Sequence, residues 1–137
     1  MNDAMTEKID RMLAADTFAV VGASTNKEKY GYLVYAMLKE YGKTVYPVNP
    51  RATEIDGDAA YPTVSALPQK PEVVVAVVPP AITERLVDEV AEADIRNLWM
   101  QEGAESQTAV AKAEAAGIAT VHGGPCIMVG LRARGRL

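Results

Sequence analysis

The sequence predicts an α/β domain built on an open parallel sheet of about five strands with helices on both faces. Three observations predict it. Short β-branched runs alternate with longer stretches whose apolar residues recur three or four apart. The run Val73-Val74-Val75-Ala76-Val77-Val78 carries no polar residue, as a strand covered on both faces requires. Glycine, proline and asparagine fall at the joints between the two patterns. With 137 residues, 49% of them apolar, the chain is sized for one domain, 1–137, with its own core.

Taken in order, residues 1–15 place Met5, Ile9, Met12 and Leu13 on one face of a helix that leans on the body. A strand over 18–21 ends in Gly22-Ala23-Ser24-Thr25-Asn26, small and polar residues suited to a tight loop. Tyr30, Leu33, Val34, Met37, Leu38 and Tyr41 then mark a helical face, and Gly42 fits the left-handed residue that ends it. The next strand, 44–48, stops at Asn49-Pro50. Pro47 has no N–H to give a sheet, so this strand is expected near an edge, flanked on its outer side only by something short such as the stretch around Tyr61.

Residues 51–71 read as loop with one helical turn near 64–67, and 73–78 as the central strand. Pro79-Pro80 opens a helix in which Ile82, Leu86, Val87 and Val90 share a face opposite Glu84, Asp88 and Glu92. Residues 97–100 form a further strand, followed by the loop Gln101-Glu102-Gly103-Ala104. Ser106 is placed to cap a helix carrying Val110 and Ala113, and Gly117 ends it. The last strand is 118–121; beyond it lie His122-Gly123-Gly124-Pro125-Cys126, an apolar stretch over 127–131, and a basic tail with Arg132, Arg134 and Arg136.

Charge and composition narrow the function classes. The formal net charge is -4 and the 14 Lys and Arg are scattered outside that tail, so nucleic acid is not an expected partner. One cysteine allows no internal disulfide, and residues 1–15 lack the apolar core of a leader, which points to the cytoplasm. No apolar run approaches the roughly 20 residues of a membrane span, so no membrane role is expected.

Open parallel sheets bind ligands beyond the carboxyl ends of their strands, where strand order reverses. Three strand-end turns therefore matter: 22–26, 49–51 and 77–81. Gly22 lets main chain approach an anion, Ser24, Thr25 and Asn26 offer donors, and the following helix points its positive end there. The same residues also fit a plain tight connection, and both readings stand at this stage. The turn lacks the G-x-G-x-x-G of a dinucleotide site, since Ser24 and Lys27 occupy the later glycine positions. Nor does the second strand end in the acid that would bind a ribose: Val48-Asn49-Pro50-Arg51 follows instead, and Arg51 suits a phosphate. Val48, Pro50, Val77 and Pro79 supply flat apolar walls for a purine. Covering about 150 Å² of a base contributes at most roughly 4 kcal/mol, whereas micromolar binding requires about 8. Phosphate contacts must supply the remainder, with Lys27, Lys29 and Arg51 as candidates.

The ordered set Val20-Val21-Gly22-Ala23-Ser24, Pro47-Val48-Asn49-Pro50, Gln101-Glu102-Gly103 and the late Cys126 resembles the small CoA-binding protein family. The same order resembles the Rossmann-like CoA-binding domain of the succinyl-CoA synthetase α subunit and of ADP-forming acyl-CoA synthetases. The resemblance spans nearly the whole chain and implies coenzyme A as cofactor. By the resemblance, Gly22 and Ser24 with Asn26 would hold phosphate groups, and Val48, Pro50 and Arg51 would border the nucleotide; Ala23, Lys29 and Asn49, in the same turns, are counted with the cofactor-binding residues. Val77, Val78 and Pro79 would line its other side, with Met100 and Glu102 along the pantetheine arm. The synthetases carry their phosphorylated histidine in a further domain, so His122 does not correspond to it, and the resemblance implies binding without ligase chemistry. Family members often have an acid shortly before the late cysteine, where this chain has His122-Gly123-Gly124-Pro125.

Other chemistry-bearing residues have bland readings. Cys126 fits a small buried apolar residue better than a thiol that pairs with coenzyme A. His122 has no cluster at metal-ligand spacing. Ser24 lacks the G-x-S-x-G setting of a nucleophile. Glu102 reads as a polar loop residue rather than a general base, and Trp99 as core. Two further functions stay open: an NAD(P)-linked oxidoreductase or redox sensor, which Arg51 permits, and a subunit completing an acyl-CoA synthetase in trans. A homodimer or a synthetase-like partner subunit is compatible with the sequence, and no residue marks a dimer surface.

Overall fold

The computed structural model of the chain describes residues 3–134. The elements, in order, are α1 (Asp3–Leu13), β1 (Thr17–Val21), α2 (Tyr30–Glu40), β2 (Thr44–Val48), β3 (Glu54–Ile55) and β4 (Asp58–Ala59). A 3-10 turn (Val64–Ala66) follows, then β5 (Val73–Ala76), α3 (Pro80–Glu92), β6 (Asn97–Met100), α4 (Gln107–Ala115), β7 (Ala119–Val121) and α5 (Ile127–Arg134). Strands β2-β1-β5-β6-β7 form one sheet in that order, every neighbouring pair parallel. The fold is therefore the expected Rossmann-like α/β sheet, with β5 at its centre.

Alternation along β5 explains why its sequence is apolar throughout. Val73 and Val75 enter one core with Phe18, Val34, Tyr35, Leu38, Trp99 and Ile127, beneath α1, α2 and α5. Val74 and Ala76 enter the other with Leu86, Val87, Val90, Leu98, Met100 and Ala113, beneath α3 and α4. A strand clad on both faces has no position for a polar residue. Trp99 is fully buried, and its indole N–H donates to the Pro125 carbonyl at 3.1 Å, so the large ring leaves no unpaired donor.

Pro47 sits where its chemistry allows. Its carbonyl accepts from the Tyr61 N–H at 3.0 Å on the outer side of β2, so its missing N–H also faces that edge rather than β1. Val48 and Tyr61 make an isolated parallel bridge there, the short flank expected. Gly42 and Gly117 follow α2 and α4 at φ 84° and 77°, closing each helix in the left-handed conformation. Ser106 caps α4 by accepting from the Ala109 N–H at 3.0 Å.

The structure differs from expectation in three elements. The loop over 51–71 contains the antiparallel pair β3–β4, turned by Asp56 and Gly57 at φ 53° and 83°. Asp-Gly is the residue pair for such a turn, but two-residue strands are too short to show periodicity. The central strand ends at Ala76, so Val77 and Val78 already belong to the turn. The apolar stretch after Cys126 is a helix, α5, that continues through Arg132 and Arg134. Arg136, the last of the expected basic tail, lies outside the described residues.

Candidate functional site

The chain leaves β1 for β2 at one edge, then crosses back to β5 on the other side of β1, so strand order reverses between β1 and β5. Turns leaving these strands must diverge there, which opens a crevice. Three hydrogen bonds hold the turns together beneath it. The Gly22 N–H donates to the Val48 carbonyl at 3.0 Å, the Val77 N–H to the Val21 carbonyl at 2.9 Å, and the Asn49 side-chain amide to the Ala23 carbonyl at 2.7 Å.

Only glycine fits at the centre of this arrangement. Gly22 has φ 98°, and a Cβ there would lie 2.1 Å from the Val77 carbonyl oxygen. The first turn of α2 is equally close: a Cβ on Gly31 would lie 1.9 Å from the Gly22 carbonyl oxygen. Gly31 thus does for helix and turn what the last glycine of a dinucleotide fingerprint does, at a spacing no fingerprint predicts. The positive end of α2 is thereby brought against the turn at Gly22.

Above these turns lies a cleft of about 410 Å³, within the range of small-molecule sites. Of the residues the sequence singled out, Val21, Gly22, Val48, Asn49, Pro50, Arg51 and Val78 line it. Pro62, Thr63, Ile82, Arg85, Leu86 and Glu89 complete its walls and were not foreseen. The periodicity of α3 marked Ile82 and Leu86 as apolar, but not that the margin of that face borders a ligand-sized space.

The other expected site residues lie around the cleft or away from it. Ala23 is fully buried in the core. The Ser24 hydroxyl accepts from the Asn26 N–H at 3.0 Å, and Asn26 Oδ1 from the Glu28 N–H at 2.9 Å, so both side chains shape the turn that leads into α2. Lys29 is exposed and immediately precedes α2; Lys27, also exposed, lies 3.9 Å from Asp56. The Val77 side chain packs against the α1–α2–α5 core while its carbonyl faces Gly22, and Pro79 is the exposed residue before α3. The Met100 side chain is fully buried beneath α3 and α4, so it presents nothing to the cleft, and Glu102 is exposed in the loop after β6. Asn49 is more framework than contact. Its Oδ1 accepts from the Arg51 N–H at 2.7 Å while its amide holds Ala23, so both polar ends are used.

The β3–β4 hairpin stiffens the wall between Arg51 and Pro62. The Tyr32 hydroxyl donates to Asp56 at 2.5 Å, Tyr35 bonds Asp58 and the Ile55 carbonyl, and Lys39 pairs with Asp58 at 2.6 Å. The Lys39 bond, then that from Tyr35, hold the Asp58 carboxyl below the usual range. Burial first, then the Asp58 bond, push the Tyr35 phenol up. At the other end of the strand row, Glu105 accepts from the Gly103 N–H at 2.8 Å and the Gly123 N–H at 3.2 Å, tying the loops after β6 and β7. Cys126 is half-buried beside Gln101. Burial pushes its thiol up, but the Gln101 amide, the Val129 and Met128 N–H groups and Arg132 together outweigh it, and the net shift is downward. Among the described residues no cluster of three or more His, Cys, Asp or Glu could hold a metal, and no helix is long and apolar enough to cross a membrane.

A family model described as a CoA binding domain matches residues 16–132. The chain belongs to this family of CoA-binding domains. The chain is 38% identical over 81 residues to the α subunit of an ADP-forming acetate–CoA ligase II from Pyrococcus furiosus, covering 58% of this chain and 18% of that one. Identity to an ADP-forming acetate–CoA ligase I from Archaeoglobus fulgidus is 32% over 87 residues, 64% of this chain and 13% of the relative. This CoA-binding domain thus matches less than a fifth of the length of either ligase. A solved structure of a hypothetical protein from Pyrococcus horikoshii superposes with a TM-score of 0.86 at 34% identity, over 95% of this chain and 89% of its own. The family match runs through the turns after β1, β2 and β5, which build the cleft, and extends to Cys126 and most of α5.

Proposed function

We propose that the chain binds coenzyme A, or an acyl-CoA, in the cleft at the carboxyl ends of β1, β2 and β5. The observation that carries this reading is the convergence of three turns on Gly22, whose missing side chain leaves main chain exposed beside an apolar slot. A diphosphate would lie against the turn of Gly22, Ser24 and Asn26, at the positive end of α2. The purine would lie between Val48 and Pro50 on one wall and Val78, Ile82 and Leu86 on the other. Arg51 adds charge-assisted bonds, which apolar contact alone cannot replace in reaching micromolar affinity. Glu102 would lie along the pantetheine arm, and Met100, with its side chain in the core, would contribute only through the backbone of the strand end.

Calorimetry tests the reading. Titration of the folded domain, at tens of micromolar, with coenzyme A should give saturable heat, and NADPH should not compete for the site. Absence of heat with coenzyme A, or a fluorescence response of the reduced nicotinamide on binding, would reject it in favour of a nicotinamide cofactor. Likeness to a ligase α subunit favours a second reading, in which the domain serves a synthetase assembled from separate chains. Co-purification with an ATP-binding ligase subunit is its test, and recovery of this chain only by itself would count against it.

A further inference from the structure

We infer that Arg85, acting with Arg51, reads a phosphate monoester on the ribose of the bound nucleotide, so that a ligand carrying one is preferred to the same ligand without it. The inference rests on the coenzyme A reading above and assigns a specificity-determining residue within it. Arg51 reaches the cleft from the turn after β2 and Arg85 from the second turn of α3. No hydrogen bond or ion pair engages either guanidinium among the described residues, although the chain as a whole is acidic, at -4.

The state of Arg85 is a consequence of its neighbours. On a helix, acids three and four residues further on are the natural partners of an arginine, and here these are Asp88 and Glu89. Both are drawn away. Asp88 pairs with Lys112 of α4 at 2.9 Å, and Glu89 Oε1 accepts the Val64 N–H at 2.7 Å. Arg85 is left with its charge at the cleft and nothing among the described residues to meet it. Glu89 is the one acid in the lining, and the bond to Val64 fixes it as part of the wall.

A diphosphate at the turn of Gly22 would be met by the positive end of α2, which leaves both arginines for another group. Two unpaired guanidiniums on separate walls of the same slot therefore match a second anion, distinct from the diphosphate. A planar guanidinium binds the oxygens of a phosphate monoester in pairs, which an alcohol in the same place cannot reproduce.

The experiment compares coenzyme A with dephospho-coenzyme A, which differ only in that monoester, on the wild type and Arg85→Gln. The wild type should prefer coenzyme A by roughly 10- to 100-fold, the range for charge-assisted bonds. Arg85→Gln should lose most of that preference while binding dephospho-coenzyme A as the wild type does, which also shows that the variant is folded. The assignment is overturned if the wild type binds both ligands equally, if the variant keeps the full preference, or if it weakens both ligands alike. Binding of neither ligand by the wild type would instead remove the coenzyme A reading, and this inference with it.

Discussion

Replacing Gly31 with alanine sets helix propensity against packing, and the structure decides which prevails. Alanine is favoured over glycine inside a helix by about 1 kcal/mol. At Gly31, however, the new Cβ would lie 1.9 Å from the Gly22 carbonyl oxygen and 2.8 Å from its carbon. That turn cannot retreat, because the Gly22 N–H is bonded to Val48 and Gly22 itself lies against the Val77 carbonyl. α2 would have to move instead, by at least about 1.1 Å to reach 3.0 Å, and it is seated by the fully buried Val34, Tyr35 and Leu38. Overpacking costs about 1–3 kcal/mol, and a collision with backbone that cannot give way belongs at the top of that range, so we expect a net loss of about 2 kcal/mol after the propensity gain. For 137 residues each kcal/mol moves the melting temperature by about 3–4 °C, which gives a fall of about 7 °C. Gly130→Ala is the matched control. It also lies in a helix, but its Cβ would meet Leu13 Cδ1 at 2.9 Å, the end of a side chain that can rotate away, so no loss is expected. Thermal unfolding followed by Trp99 fluorescence and far-ultraviolet circular dichroism measures both. A Gly31→Ala protein that melts at or above the wild type would refute the reasoning.

Two further outcomes follow from single side chains. The Asp16 N–H first, then the Thr17 hydroxyl and N–H and the charge of Lys43, hold the Glu72 carboxyl below its ordinary value of 4.5 against the opposing effect of burial. A depressed carboxyl contributes its full stability above the ordinary value and loses it as pH falls through the lower folded-state value. The melting temperatures of wild type and Glu72→Gln should accordingly differ near neutral pH and converge in acid; a gap independent of pH would exclude this role. Ser106→Ala removes the cap of α4 and the 2.7 Å bond from the hydroxyl to Glu84, and should lower the melting temperature by about 3–4 °C, or about 1 kcal/mol, without changing affinity for coenzyme A. A melting temperature unchanged by the substitution would mean that the cap is redundant.

The strands and their order of appearance were legible because each carries its own evidence. Val73 to Ala76 shows two-sided burial in composition alone, and Pro47 announces an outer strand through the N–H it lacks. Ser106, Gly42 and Gly117 mark helix ends through chemistry confined to one residue. The hairpin was missed because its signal is the Asp56-Gly57 pair alone, without strands long enough to alternate. α5 was missed because Gly130 interrupts a short apolar run that passes directly into arginines.

The cleft divides along the same line. Gly22, Val48, Pro50 and Arg51 sit at strand ends, where parallel topology already directs attention, and the structure assembles them. Ile82, Arg85 and Glu89 come from the margin of a helical face. Periodicity distinguishes the inside of a helix from its outside, but not an outside that faces water from one that faces a neighbouring turn. Gly31 was equally hidden, because a glycine near the start of an otherwise regular helix is informative only once the carbonyl opposite it is known. Met100 shows the converse. Its place at the end of β6 was right, but the alternation of the strand sends its side chain inward.

The turns beneath the cleft are fastened to one another by two peptide–peptide hydrogen bonds and one from the Asn49 side chain. Peptide groups are the same whatever residue bears them, so the two peptide–peptide bonds follow from the topology rather than from a set of functional side chains. Side chains in the surrounding walls, that of Asn49 apart, can change without breaking any of these bonds. The tolerance stops at Gly22 and Gly31, where any side chain would collide with the scaffold that makes such change possible.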